Sequence, residues 1–119
     1  MYLVDTHTLI WFLEGNPHIP EPTRLLLRQQ QNQIAVSIAS FWEMAIKVGI
    51  GKLVLPEPLA DTIIKTRHLG FEIIPINTSH ILQVETLPLH HRDPFDRLII
   101  SQAMVERFIL ISKDANCSI

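Results

Sequence analysis

A single α/β domain, with a parallel sheet covered by helices on both faces, is the fold class that this sequence predicts. The β-prone runs IAVSI (34–38), FEIIPI (71–76) and FILIS (108–112) are almost wholly apolar rather than alternating, as strands buried on both faces are. Segments with helical spacing separate them, which is the alternation that builds a parallel sheet. The chain has 119 residues, 47% of them hydrophobic, enough for one core and too few for two. The expectation is therefore one domain over residues 1–119.

In chain order, MYLVD opens as a strand closed by Asp5, and THTLIWFLEG follows as a short helix stopped by Gly15. After the proline-rich NPHIPEP, Leu25–Leu27 and the glutamine run behind them predict a second helix, and residues 34–38 a strand. From Ser40, Phe41, Ala45 and Val48 fall at helical spacing before Gly49 and Gly51, and LVL (53–55) reads as a brief extension. The GIGK at the end of that helix is no phosphate loop, because it follows a helix instead of a strand and lacks the hydroxyl residue after Lys52. Residues 58–69 predict a helix closed by Gly70, then comes the strand FEIIPI, and TSHILQVETL is a helix capped by Asn77 or Thr78. Asp93 before Pro94 opens the last helix, 94–106, as an N-cap with proline at the first helical position. A very short connection joins that helix to strand 109–112.

Composition narrows the function classes. Only 18% of residues are charged, below the roughly 25% of soluble domains, so part of the surface is expected to be covered by a partner or a second copy. A net charge of −2 argues against a strongly basic nucleic-acid binder. A single cysteine, Cys117, excludes an internal disulfide framework and fits a reducing compartment, with the cytoplasm as the default. Met1–Val4 carries no basic leader, and no apolar run approaches the roughly 20 residues of a membrane helix, so no membrane association is expected.

In a sheet of this class, ligands sit beyond the carboxyl ends of the strands. Asp5 closes the first strand, and Glu43 is expected in the first turn of the helix after strand 34–38. Helix 94–106 must run antiparallel to the strand that follows it, which brings Asp96 at the helix start to the same edge as Asp114 beyond the strand end. Four carboxylates crowded together repel one another, so the cluster calls for a cation. Oxygen ligands of this hardness suit Mg²⁺ or Mn²⁺. Each acid also has a plainer account. Ser40 and Glu43 have the spacing of a capping box, Asp96 complements the positive end of its helix, and Asp114 sits in a polar tail. Asp5, ending an apolar strand, is hardest to explain without a ligand.

Rival chemistry has less support. Six histidines are present and His90 and His91 are adjacent, but neighbours on an extended segment point oppositely and no zinc spacing occurs. There is no G-x-S-x-G elbow, Cys117 falls in what reads as a frayed tail, and DTHT lacks the second aspartate of an aspartyl-phosphate phosphatase. Trp11 and Trp42 lie among helical apolar residues and are expected in the core.

LVDTHTLIWFLEG, VSIASFWEMAIKVGIGKL, LPLHHRDPFDRLIISQA and LISKD, in that order along the whole chain, resemble the PIN-domain ribonucleases, most closely the VapC-type toxins of bacterial toxin–antitoxin pairs. The resemblance implies a three-layer α/β/α fold and a metal-dependent endoribonuclease whose acids are Asp5, Glu43, Asp96 and Asp114, with Thr6 and Ser112 as supporting hydroxyls. It further implies a dimer, a structured RNA substrate such as tRNA or ribosomal RNA, and silencing by a small antitoxin that inserts a segment into the acidic site. Family members usually continue past the fourth acid into an edge strand, whereas this sequence reaches only ANCSI, so a short C-terminal end without that strand is expected.

The mechanism expected on this basis is hydrolysis of an RNA phosphodiester with Mg²⁺, or Mn²⁺ in its place, held by Asp5 and Asp96 and completed by Glu43 and Asp114. Lys47, Lys52, Arg92 and Arg97 lie near the motif segments, where they could meet flanking phosphates, although Arg97 could instead pair with Asp93. Two other classes remain open: a binding module of this fold with weak catalysis, which missing acids would signal, and a metal-dependent phosphatase, which would cleave a generic phosphomonoester and ignore RNA.

Overall fold

The structure, a computed structural model, describes residues 1–88, 93–112 and 116–118. Five strands form one sheet: β1 (Tyr2–Val4), β2 (Ile34–Ser37), β3 (Glu72–Ile74), β4 (Ile109–Ile111) and β5 (Asn116–Ser118). Their order is β3-β2-β1-β4-β5, with the first four parallel and β5 antiparallel to β4. Six helices connect them: α1 (Thr6–Glu14), α2 (Glu21–Arg28), α3 (Ile38–Gly49), α4 (Leu59–His68), α5 (Thr78–Thr86) and α6 (Pro94–Glu106).

Though short and apolar, the central strands still sort their side chains by alternation. Val4, Ile34, Val36 and Ile111 face one cluster with Leu9, Leu27, Met44 and Phe71, drawn from α1, α2, α3 and the residue preceding β3. Leu3, Ala35 and Leu110 face the other, with Leu98, Ile99 and Ala103 of α6. Period-two pleating thus divides a continuous hydrophobic run between two cores, giving the three-layer α/β/α arrangement.

Several boundaries differ from the sequence-based expectations. The glutamine run belongs to no helix: α2 starts after Pro20, with Pro22 in its first turn, and ends at Arg28. LVL (53–55), expected as a brief extension, lies outside any helix or strand; Leu53 leans on the core while Val54 is exposed. The N-cap of α5 is Asn77, whose side chain accepts from the His80 backbone while the His80 ring accepts from the Asn77 N–H, a reciprocal cap. The C-terminal end, expected to lack an edge strand, has one in β5. Nothing in Asn-Cys-Ser favours a strand; the unpaired backbone edge of β4 supplies the reason to pair.

The topology positions a crevice. From β1 the chain moves to β2 and β3 on one side and returns to β4 on the other, so the connections diverge between β1 and β4. Val4 pairs in register with both Val36 and Ile111, so Asp5, Ser112 and Ser37, the last residue of β2, come to the same edge of the sheet.

Candidate metal centre

Asp5 closes β1 and is also the N-cap of α1: its Oδ1 accepts from the Thr8 N–H at 2.8 Å. A capping role therefore exists for the acid that the sequence left hardest to explain. Thr6, next along, donates its hydroxyl to Ser40 Oγ at 2.9 Å, a buried bond tying the start of α1 to α3. Ser40 is thus inside α3 and is not its cap. Ser37 takes that role by accepting from the Ala39 N–H at 3.0 Å, so β2 passes into α3 with no intervening loop. Glu43 consequently lies in the second turn, not the first, and the expected capping box with Ser40 does not form.

Relieved of capping, Glu43 is buried at 6% exposure. Its Oε2 accepts from Lys47 Nζ at 2.5 Å, and its Oε1 has no hydrogen-bond partner among the described residues. A buried carboxylate oxygen without a donor is costly and calls for a ligand. On the facing helix, Asp93 caps α6 by accepting from the Phe95 and Asp96 N–H groups at 2.9 and 3.0 Å. Asp96 sits in the first turn above it.

Asp5, Thr6, Glu43, Asp93, Asp96 and Ser112 line a single open cleft of about 690 Å³, together with Lys47, Lys52, Glu14 and His7. Burial raises the Asp96 pKa above the ordinary carboxylate value, and the charges of Asp93, Glu43 and Asp5 push the same way, with Lys47 opposing them. The Lys47 pKa is raised as well: its hydrogen bond to Glu43, aided by the charges of Glu43, Asp93 and Asp96, outweighs the lowering effect of burial and holds the ammonium charged. Like charges drawn together, one oxygen left bare and an all-oxygen donor set fit a hard divalent cation. Among the described residues, no three His, Cys, Asp or Glu side chains stand around a common point at ligand spacing. A cation here would rely on few direct protein oxygens and on water, as Mg²⁺ does.

The structure separates the other sequence-predicted residues. Asp114, Arg92, His90 and His91 lie outside the described residues. Lys52 lines the cleft. Arg97 turns to α5, donating to the backbone carbonyls of Val84, Leu87 and Pro88 at 3.0–3.1 Å, and so caps the end of that helix. Trp11 packs partly against the core, but Trp42 is 54% exposed and meets Phe95 edge to face at 4.9 Å, contrary to the expected core position. Its neighbours one turn away, Ile38 and Ile46, are exposed as well, so the outward face of α3 is apolar and largely uncovered among the described residues. Sequence reasoning assigned Asp93 to capping alone and missed its place in the cleft; an acid three residues before Asp96 on a helix start was the available signal.

Fold and cleft define a class: a three-layer α/β domain with an acidic site where the connections of a parallel sheet diverge. The PIN domain family model matches residues 2–118, and the chain belongs to that family. No curated protein matches it. Among solved structures it resembles a toxin–antitoxin complex from Klebsiella pneumoniae, at 20% identity and a TM-score of 0.61 over 92% of this chain and 83% of that one. It also resembles VapBC2 from Rickettsia felis bound to a DNA fragment from their promoter, at 22% identity and a TM-score of 0.65 over 92% and 84%.

Proposed function

We propose that this PIN domain is a metal-dependent endoribonuclease toxin of the VapC type, acting on tRNA or ribosomal RNA in the cytoplasm as a homodimer and silenced by a small antitoxin. The observation that carries the reading is the bare, buried Oε1 of Glu43 in a cleft shared with Asp5 and Asp96. Asp5, Glu43 and Asp96 would hold Mg²⁺ or Mn²⁺, with Asp114 as the fourth acid. Such an ion supplies an activated water and neutralises charge developing at the phosphate. Thr6, fixed by Ser40, orients the start of α1 and the Asp5 beside it. Ser112 offers a hydroxyl at the cleft wall, and Lys52 a positive charge to an incoming phosphate. An antitoxin partner is supported by the likeness to toxin–antitoxin complexes, and a dimer by the exposed apolar face of α3. No helix among the described residues is long and apolar enough to cross a membrane.

The test is incubation of the purified protein with total RNA and with a phosphomonoester, in Mg²⁺ or Mn²⁺ and with chelator, beside Asp5→Asn. RNA cleavage that chelator and the substitution both abolish is the expected result. Chelator-resistant cleavage, or cleavage unchanged in the variant, would leave the nuclease reading without support. Phosphomonoester hydrolysis alone would favour a phosphatase.

A further inference from the structure

Glu43 and Lys47 differ in a way that an ordinary helical ion pair does not. Glu43 is held inside: its side chain is 7% exposed and only one of its two oxygens is neutralised. The Lys47 side chain is 40% exposed on a flexible four-carbon stem and can leave without opening the core. Its ammonium also feels Asp93 and Asp96 on the opposite helix, so its charge serves the whole cleft and not Glu43 alone.

We propose that Lys47 is a displaceable counter-ion of the acidic cleft, neutralising Glu43 while the site is empty and competing with the divalent cation for it. The inference rests on the metal-nuclease reading. Without a cation, Asp5, Glu43, Asp93 and Asp96 repel one another and would splay α3 from α6; an ammonium at Glu43 relieves that repulsion and keeps Glu43 facing inward. A dication entering the cleft meets the same ammonium as a like charge. Loading at Glu43 therefore exchanges one cation for another. Lys47 lowers metal affinity while preserving the shape of the site, and once released it lies at the cleft wall, positive and solvated, where an RNA phosphate would arrive.

A purely structural pair predicts that losing Lys47 disorders Glu43 and weakens metal binding. A competing counter-ion predicts the opposite sign. Calorimetric titration of the full chain with Mn²⁺, without RNA, separates the two. Lys47→Met should bind Mn²⁺ about tenfold more tightly than wild type, the effect of removing a unit charge roughly 6 Å from a dication in a water-like medium. The gain should shrink as salt rises. Lys47→Arg, which keeps the charge, should stay near wild type, and Asp96→Asn should bind more weakly. Equal or weaker Mn²⁺ binding by Lys47→Met, with wild-type circular dichroism and melting, overturns the proposal. If Lys47→Met does not fold, Lys47→Gln carries the comparison, and failure of both to fold makes Lys47 a structural residue and overturns it too. Wild-type protein that takes up no Mn²⁺ defeats the metal-nuclease reading itself, a result visible without any variant.

Discussion

Charge in the cleft is set by individual side chains, and Asp96 ties it to pH. Its raised pKa means that the folded protein binds its proton more tightly than the unfolded chain does. Stability then falls as pH rises from the ordinary carboxylate range through the raised value, and recovers on acidification. In chelator, the urea midpoint of Asp96→Asn should therefore exceed that of wild type at pH ~7 and converge with it only below pH ~4, the ordinary carboxylate pKa. The gain should not exceed about 1 kcal/mol, because the carboxyl is partly exposed and screened. A midpoint difference that is flat with pH would contradict the crowding of Asp5, Glu43 and Asp93 around it. At this scale the sequence foresaw that Asp5, Glu43 and Asp96 share one edge, as the cleft shows, but misjudged their company. Asp5 has a capping partner in the Thr8 backbone N–H, which its place just before α1 supplies, whereas the bare oxygen of Glu43 depends on where β2 ends and α3 begins.

Helix ends decide which residues are available for function. Arg97, near the motif acids in sequence, donates to the carbonyls of Val84, Leu87 and Pro88 at and just beyond the end of α5. Arg97→Met should cost about 2 kcal/mol in chemical denaturation, through loss of charged hydrogen bonds to groups that are left partly buried. Unchanged stability with an increased KM for RNA would restore it as a substrate contact. The end of α6 is strained differently: Arg107 holds φ at 60°, a left-handed conformation that favours glycine. Arg107→Gly should raise stability by about 0.5–1 kcal/mol, read as a shift in the same midpoint. The helices themselves were legible, since periodicity and the Gly15, Asn77 and Asp93 signals mark them plainly. Their starts were less so: Ser37 and Ser40 are both competent caps, and only the path of β2 selects Ser37.

The whole molecule leaves an apolar stripe, Ile38, Trp42 and Ile46, on the outer face of α3. If that face joins two copies, Trp42→Asp should convert a dimer in sedimentation equilibrium to a monomer that melts cooperatively; a wild-type monomer at micromolar concentration would remove the dimer from the proposed function. Length, apolar runs and their alternation with helices determined the α/β class and the parallel sheet, because burial on both faces leaves its mark on every strand residue. They also placed Asp5 and Asp96 at one edge, because a short connection allows α6 and β4 a single relative direction. Only the tertiary structure decided that β5 pairs with β4, that Trp42 lies outside, and that Lys47 rests on Glu43. These depend on contacts between segments distant in the chain or on the surface left uncovered once the core is packed, and neither is written in local sequence.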